Sequence, residues 1–481
     1  MTRPRLRAIL AALFALAVAA RLLAFCLKPA MHPDEIFQYL EPAWARLHGV
    51  GWQPWEYSEG LRSWVFPAYH GAWMVIFSWL GLGGGIIVHS LFRLHWALTT
   101  VLLVWAGWRA GLVIARRTAG IAATEGNPLG DHVPAGWQGG LLAAALCALT
   151  PILLYFSPHV LTEIPSMLLF VWGFVLTLES YERGNKQAWR TMMLAGFLLS
   201  FGACLRISNA PLALLVPLDL LLRRRLRLVL AVGLGALGPI VLFGAVDAFT
   251  WGRWFHSFIR YVTYNFIEGR AIEHGVVERT WYMSQLYERA GVLLLVPLFA
   301  ALYAFPHVWI WVVGSVGLVA YLSTQAHQEE RFMLLAWPLL LIAAGGGAGG
   351  FLAKTADRAG NQVRFGAIAL AFFSFAARNL AGVDRIPDYD YTGRFPVYES
   401  QSWVGQQADA TGLMVEGRFH LSGGYVCLGR NIVLVALNYQ QLSNRVFNYV
   451  VVQADSPSLA IAQKYGFRPV HRLGNTVVAK R

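Results

Sequence analysis

Two stretches near the N-terminus decide the fold: AILAALFALAVAARLLAFC at residues 8–26 and MHPDEIFQYLEP at residues 31–42. The first is too long for the core of a signal peptide, has no clean small-residue cleavage site and is long enough to cross a bilayer. Three arginines at positions 3, 5 and 7 precede it. We therefore expect an uncleaved first transmembrane helix, followed directly by a polar, acidic segment.

The composition excludes a soluble globular protein. Of 481 residues, 57% are hydrophobic and only 14% are charged, whereas soluble domains carry about 25% charged residues. The formal net charge of +13 comes from Lys and Arg in short loops between apolar runs, a pattern that sets membrane topology. It therefore indicates membrane lipids as partners and not nucleic acid. The four cysteines form no CxxC pair, so we expect no disulfide framework and no zinc site.

Apolar stretches of spanning length recur along the chain. Including the first, we predict eleven transmembrane helices, near residues 8–28, 91–113, 139–157, 160–178, 190–205, 208–222, 228–247, 289–305, 307–323, 332–351 and 364–379.

The stretch 66–87 could either span the membrane or lie at its surface. If it does not span, the basic loops at 116–117, 182–186, 223–225 and 354–364 all fall on the side of the N-terminus, as the positive-inside rule requires. If it spans, the rule fails repeatedly. We therefore interpret 66–87 as an interfacial or re-entrant element, which predicts a cytoplasmic N-terminus and an outer C-terminus.

This topology gathers the polar motifs on the outer side of the membrane. We expect a transmembrane catalytic unit at 1–380, with outer loops at 29–90 and 248–288, and a small outer α/β domain at 381–481. In the latter, Gly412–Glu416, Tyr425–Cys427, Ile432–Leu437 and Tyr449–Gln453 are predicted strands, and Ser458–Tyr465 is a predicted helix capped by Ser456 or Ser458. Its role is open between covering the site and recognising a substrate.

The acidic segment offers candidate catalytic groups. Asp34 can cap an amphipathic helix from Glu35 to about Leu47, with an apolar face of Ile36, Phe37, Leu40, Trp44 and Leu47. A cap explains one carboxylate, but less well the grouping of Asp34 with Glu35 and His32 beside a membrane helix, where ionisable residues are functional candidates. Glycosyl transfer with inversion needs one carboxylate to accept a proton from the attacking hydroxyl and cations to hold a phosphate leaving group.

Other polar residues on the predicted outer face have two interpretations each. Trp55, Glu56 and Tyr57 fit an interfacial aromatic belt or a sugar-binding surface. Arg62 beside them is a positive charge on the predicted outer side, where the positive-inside rule disfavours Lys and Arg. Glu163 and Asp247 are equally well explained as helix-end residues or as substrate contacts.

Four ordered segments resemble glycosyltransferase family 22, the mannosyltransferases of the dolichol and GPI-anchor pathways within the GT-C superfamily. The first begins with His32-Pro33-Asp34-Glu35, Gln38 and Glu41 and continues through Trp55-Glu56-Tyr57 to Leu61-Arg62-Ser63. The others are Asp247 with Trp251-Gly252-Arg253-Trp254 and Tyr264-Asn265-Phe266, Trp281-Tyr282-Met283-Ser284-Gln285, and His327-Gln328-Glu329-Glu330-Arg331-Phe332. The resemblance covers about residues 30–340. The chain differs from the family at 158–163, where His159 replaces a polar run.

The resemblance implies a mainly α-helical GT-C membrane bundle. It also implies inverting transfer of a hexose, mannose in the family, from a polyprenyl-phosphate donor to a hydroxyl of a glycolipid or glycan, with no metal and no cofactor. Asp34 is then the expected base with Glu35 beside it. The expected donor-binding residues are His32, Arg62, Arg206, His327 and Arg331, and the expected acceptor-binding residues are Trp55, Glu56, Tyr57, Glu163 and Asp247.

The basic loops and the small outer domain favour a bacterial member in the inner membrane, with its site facing the periplasm. Two other functions stay open on sequence grounds. A transporter or flippase of lipid-linked sugars would place charges near the bilayer midplane and show repeated halves. A non-catalytic receptor would use the bundle only as an anchor for its outer domain.

Overall fold

The computed structural model describes residues 2–27, 32–121, 133–355, 358–383, 395–418 and 422–481. Within them, nine helices are long and apolar enough to cross a membrane: Arg3–Cys26, Ile86–Ala119, Glu163–Ser180, Asn185–Leu205, Leu226–Trp251, Trp281–Tyr303, Phe305–Leu322, Glu330–Lys354 and Gln362–Leu380. There are also two shorter apolar helices, Trp137–Leu149 and Ile207–Leu222. Each of the eleven predicted spans overlaps one of these long or short helices.

Several of these helices are interrupted. Ile86–Ala119 consists of Ile86–Thr99 and Leu102–Ala119, and the short helix Pro151–Phe156 follows Trp137–Leu149 after a break at Thr150. Breaks of this kind also divide two other spans into Trp281–Ala290 with Leu295–Tyr303, and Glu330–Met333 with Ala336–Lys354. The last long helix, Arg358–Val383, passes the expected domain boundary at 380, and residues 384–394 lie outside the described part.

Small residues allow the central helices to approach closely. Helix Ala336–Lys354 places Gly345 against Ala143 and Gly349 against Gly139, so that a Cβ at either glycine would collide with the backbone of helix Trp137–Leu149. Membrane helices pack in this way because lipid supplies no hydrophobic driving force between them. The Gly345–Gly347 run therefore has a packing role in the structure.

The first outer loop forms a chain of short helices. A π-helix at Glu35–Leu40 continues into the α-helix Glu41–His48, and Trp55–Ser58 and Val65–Trp79 follow. Val65–Trp79 has only 15 residues, short of the roughly 20 that a span needs, and it packs against the two helices of the acidic segment.

The C-terminal region, residues 395–481, contains a five-stranded mixed sheet in the order β2-β1-β3-β5-β4. Its strands are β1 Gly412–Val415, β2 Val433–Ala436, β3 Tyr449–Gln453, β4 Arg468–Leu473 and β5 Thr476–Lys480. β1 pairs in parallel with both β2 and β3, whereas β5 runs antiparallel to β3 and β4. The helices are Phe395–Gly405, Gly424–Leu428 and Pro457–Lys464, the last capped by Ser456, whose hydroxyl accepts a hydrogen bond from Ser458 N.

The predicted strand at Tyr425–Cys427 is wrong, because these residues form the helix Gly424–Leu428. The cause is a tertiary contact. The carboxylate of Glu41 accepts hydrogen bonds from the backbone N–H groups of Tyr425 at 3.1 Å and Val426 at 3.2 Å, and Gly424 enters the helix with φ of 59°. Hydrogen bonding to a distant side chain thus outweighs the β propensity of this aromatic and β-branched segment.

The acidic-segment helix is buried between the membrane bundle and the sheet. Ile36 and Phe37 pack with Tyr398 and other residues of the C-terminal region, while Leu40 and Trp44 belong to the core of the bundle. The predicted apolar face therefore contacts two different bodies of structure.

Candidate active site

A cavity of about 970 Å³ opens between the first outer loop, the segment around residues 261–271, the start of helix Glu330–Lys354 and the C-terminal region. Its polar and aromatic lining includes His32, Asp34, Gln38, Trp52, Trp55, Glu56, Arg62, Arg206, Tyr261, Tyr264, His327, Glu329, Arg331, Phe332 and Arg418. Segments far apart in the sequence thus meet in one chamber.

Asp34 does not cap a helix, so the alternative explanation of its carboxylate as a helix cap does not hold. Its backbone is already helical, at φ −60° and ψ −28°, and its carboxylate makes no capping hydrogen bond. The side chain turns instead to the cavity, where Oδ2 accepts a hydrogen bond from Arg331 Nη2 at 2.7 Å. His32 Nδ1 lies 3.5 Å from the same oxygen. Oδ1 accepts no hydrogen bond from any described residue, which leaves it open to the cavity.

Asp34 belongs to a compact cluster of charges. Glu329 binds Arg331 through two hydrogen bonds, Nε to Oε2 at 2.5 Å and Nη2 to Oε1 at 3.0 Å. His327 Nε2 lies 2.9 Å from Glu329 Oε1, and His32 Nε2 lies 3.4 Å from Oε2. The cluster therefore joins the first outer loop to the 327–331 motif, which are about 300 residues apart in the chain.

The cluster fixes the protonation of its members. Burial raises the pKa of Asp34, but the charges of His32 and Arg331 more than compensate, and the pKa of Asp34 lies below its ordinary value. Burial likewise opposes ionisation of Glu329, yet Arg331 and the two histidines hold its pKa well below the usual range. The pKa of His32 is raised, because Asp34 and Glu329 outweigh burial and the charge of Arg331. Both carboxylates are therefore ionised at neutral pH.

Glu163 connects this cluster to a second arginine. It is buried, with Oε1 3.5 Å from Arg331 Nε and 3.0 Å from Arg206 Nη1. The Arg206 guanidinium also lies over the Phe332 ring, 4.4 Å from its centroid. Glu163 does not line the large cavity, so its observed contacts hold the two arginines in position.

Glu35 is separated from the cavity. It is fully buried, and its carboxylate accepts hydrogen bonds from the backbone N–H groups of His32 and Val160, each at 3.0 Å. His159, the residue at which the chain differs from family 22, lies 3.8 Å away. These contacts fix the loop that carries Asp34 against the 157–160 corner.

The candidate acceptor residues lie in different places. Trp55 and Glu56 line the large cavity, and Gln38 Nε2 donates to Glu56 Oε1 at 2.5 Å. Tyr57 instead lines a smaller adjoining chamber. Asp247 lines neither: it is buried and accepts hydrogen bonds from Ser257 N at 2.8 Å and Ser257 Oγ at 2.6 Å, which fixes the start of helix His256–Val262.

The smaller chamber, of about 50 Å³, shares Leu61, Arg62, Arg206, Ser208 and Tyr261 with the large cavity. Arg62 forms no ion pair with any described residue, and its Nε is a buried donor without a described partner, as is Nε of Arg206. Two buried donors with unsatisfied hydrogen-bonding capacity at one constriction favour an anionic ligand there.

Several cavity residues are not among the site residues predicted from the sequence. Glu329 lies inside the quoted 327–332 motif, so its charge next to Arg331 was a usable signal. Gln38 could also have been found from the sequence, because it lies about one helical turn after Asp34. No sequence signal marks Arg418 or Tyr261, because only the tertiary fold places them at the cavity. Among the described residues, no group of three or more His, Cys, Asp or Glu side chains has the geometry to hold a metal ion.

Known proteins share this architecture. ArnT from Cupriavidus metallidurans, solved with undecaprenyl phosphate, superposes with a TM-score of 0.61 at 13% identity, over 98% of this chain and 97% of that one. The Archaeoglobus fulgidus oligosaccharyltransferase tethered to an acceptor peptide gives 0.51 at 10% identity, over 94% and 69% of the two chains. At these identities the likeness establishes the fold alone, and it confirms the GT-C bundle.

Two curated proteins are similar in sequence. The chain is 24% identical to alpha-1,2-mannosyltransferase ALG9 of Arabidopsis thaliana over 65% of its length and 51% of the relative. It is 27% identical to GPI mannosyltransferase 3 of Aspergillus fumigatus, over 67% and 46% of the two chains. The chain thus spans about half the length of both relatives. Residues 12–384 match the Alg9-like mannosyltransferase family. This integral membrane protein therefore belongs to that family, as its four ordered motifs indicate.

Proposed function

We propose that this protein is an inverting mannosyltransferase that takes mannose from a polyprenyl-phosphate donor and transfers it to a hydroxyl of a glycolipid or glycan. The observation that carries the proposal is the position of Asp34, an ionised carboxylate on the wall of a cavity that also presents Arg62 and Arg206. The family and the fold support the reaction class, because both include enzymes that build glycans at membranes.

In the proposed reaction the acceptor hydroxyl attacks the anomeric carbon of the donor sugar. The new C–O bond forms as the bond from the anomeric carbon to the phosphate oxygen breaks, and the hydroxyl proton passes to Oδ1 of Asp34. Polyprenyl phosphate leaves with the bonding electrons and requires no proton, because cations stabilise it. A single displacement of this kind inverts the anomeric configuration.

An apolar groove supports a lipid-linked donor. The groove, of about 560 Å³, runs between four helices and is lined by Val65, Phe66, Tyr69, His95, Trp96, Thr99, Leu102, Pro165, Leu168, Leu169, Trp172, Leu198, Phe201 and Leu205. Phe66 and Leu205 also line the small chamber that holds Arg62 and Arg206. A prenyl chain in the groove would thus place its phosphate at the two arginines and its sugar in the large cavity.

The distribution of basic residues supports an active site on the outer face. Arg116 forms an ion pair with Glu182, and the Arg223 guanidinium lies 5.0 Å from the centre of the Tyr181 ring, so the basic loops gather in one place. The acidic motif gathers separately around the large cavity. With the basic loops in the cytoplasm, the cavity faces the exterior, which in a bacterium is the periplasm.

The direct test is transfer by the purified full-length protein, with polyprenyl-phosphate [³H]mannose as donor and a membrane glycolipid extract as acceptor source. We expect labelled product from the wild type and none from Asp34→Asn, because an amide accepts no proton. Asp409→Asn in the C-terminal region is the matched control, since Asp409 pairs with Lys480 and neither residue lines the cavity.

Near wild-type turnover by Asp34→Asn would contradict the role of Asp34. If the protein moved intact labelled donor across a vesicle membrane without forming product, it would be a flippase, and the proposed reaction would be wrong.

A further inference from the structure

Arg418 is a cavity residue contributed by the C-terminal region. It follows β1 and lines the 970 Å³ cavity with the residues of the first outer loop. Its side chain makes no ion pair or hydrogen bond with any described residue. Two other cavity arginines are neutralised, Arg331 by Asp34 and Glu329, and Arg206 by Glu163, whereas Arg62, at the mouth of the small chamber, also has no ion-pair partner among the described residues. Arg418 therefore brings an uncompensated positive charge to the cavity.

The backbone that presents Arg418 is firmly held. β1 is the central parallel strand of the sheet, between β2 and β3, and ligands of open α/β sheets bind at the carboxyl ends of such strands. Glu416 fixes this end through Gln453 N at 2.6 Å and through the hydroxyls of Ser456 and Ser458. Gly417 then turns the chain with φ of 94°, so Arg418 directly follows an end of the sheet that is held by hydrogen bonds.

Arg418 does not line the small chamber in which the donor phosphate is proposed to bind. Arg62 and Arg206 line both the cavity and the small chamber beside the apolar groove, whereas Arg418 lines the cavity only. Trp52, half exposed at 50%, lines the cavity too. Its backbone N–H binds Glu41 Oε1 at 3.0 Å, the oxygen that also accepts from Tyr425 N. One carboxylate thus joins the loop bearing Trp52 to the region bearing Arg418.

We infer that Arg418 and Trp52 form an acceptor subsite that recognises a negatively charged sugar, bearing either a carboxylate or a phosphate group. The inference rests on the proposed function, since it assigns the acceptor side of the same cavity. Trp52 supplies a flat apolar surface for the sugar ring, and the guanidinium of Arg418 supplies a bidentate match to the anionic group. Glu41 is the positioning residue that keeps the two side chains at one cavity.

The test measures binding rather than transfer, so it does not depend on the proposed reaction. Full-length protein in nanodiscs is titrated with methyl glucuronide, methyl mannoside 6-phosphate and neutral methyl mannoside, and separately with undecaprenyl phosphate. We expect at least one anionic glycoside to bind about tenfold more tightly than the neutral sugar, the gain that one charge-assisted contact provides.

Arg418→Gln should abolish that preference while leaving the affinity for neutral methyl mannoside and for undecaprenyl phosphate unchanged. Arg468→Gln is the matched control, because Arg468 is an exposed arginine on β4, at the edge of the same sheet. Trp52→Ala should weaken both classes of sugar equally. An anionic preference that survives Arg418→Gln would overturn the inference. A loss of undecaprenyl phosphate binding in that variant would overturn it as well, since Arg418 would then serve the donor.

Discussion

Asp34 has the protonation state that a base requires, since its pKa lies below the ordinary value despite burial. A low pKa also makes a carboxylate a weak base, and Brønsted behaviour would favour a higher one. The conflict is resolved if the proton moves late. As the acceptor oxygen bonds to a carbon with oxocarbenium character, its proton becomes acidic, and a weak but fully ionised base suffices.

Arg331 should control the pH at which the enzyme loses activity in acid. Against the effect of burial, the charges of His32 and Arg331 lower the pKa of Asp34, because an opposite charge stabilises the ionised carboxylate. Arg331→Gln should therefore raise the pKa of Asp34 and move the acid limb of kcat/KM to higher pH. The measurement is a pH profile of transfer, with Arg468→Gln as control. An acid limb that stays in place would mean that Asp34 is not the titrating base.

Arg62 offers a clean test of the donor phosphate site. Because it forms no ion pair with any described residue, Arg62→Gln leaves no buried carboxylate unpaired, whereas a change at Arg206 would expose Glu163. Loss of one charge-assisted contact should raise the donor KM about tenfold, with little change in the acceptor KM. Initial rates over a matrix of donor and acceptor concentrations give both constants. A rise confined to the acceptor KM would place Arg62 on the other substrate.

At the scale of elements, the sequence predicts best what hydrophobicity alone determines. All eleven predicted spans correspond to apolar helices because the length of an apolar run is a local property. Interactions across the fold were not predictable in this way. The Tyr425–Cys427 helix depends on the carboxylate of Glu41, almost 400 residues earlier. A helix cap could not be excluded for Asp34 from the sequence, because its partner Arg331 is about 300 residues later.

In the candidate site too, local sequence signals could be interpreted, whereas contacts between distant segments could not. Asp34, His32 and Arg331 could be proposed from ordered motifs, since each lies in a short charged segment beside an apolar helix. Asp247 could not be separated from a substrate contact, because only the fold reveals Ser257 as its partner. Arg418 carries no local signal, and the sheet alone brings it to the cavity.

The apolar groove gives a prediction about chain length. Leu169 lies in its wall, and a larger side chain there should obstruct a long prenyl tail. Leu169→Trp should lower kcat/KM for undecaprenyl-phosphate mannose but spare geranyl-phosphate mannose, whose tail occupies less of the groove. Leu194→Trp on helix Asn185–Leu205 is the control, because Leu194 is exposed and does not line the groove. Equal losses for the two donors would indicate general misfolding rather than a tail-binding groove.

At the scale of the whole molecule, Glu41 links the bundle to the C-terminal region. Its carboxylate is fully buried and accepts three backbone hydrogen bonds, from Trp52, Tyr425 and Val426. Burial raises the pKa of Glu41 to about 7, against the opposing effect of those N–H groups. Because the ordinary value is 4.5, the folded protein binds more protons than the unfolded chain at the pH values between the two.

This difference fixes the sign of a pH effect on stability. A carboxyl whose pKa is raised by folding stabilises the folded state at low pH, and that contribution is lost as pH rises from 4.5 to about 7. The apparent Tm of the wild type should therefore contain a component that falls over this window and is missing in Glu41→Gln. Gly424→Ala, whose Cβ would lie 2.5 Å from Glu41 Oε2, should also lower Tm, because it displaces the carboxylate from its backbone partners. If Glu41→Gln kept the wild-type slope, Glu41 would not be the titrating group, and the link that positions Arg418 would be insensitive to pH.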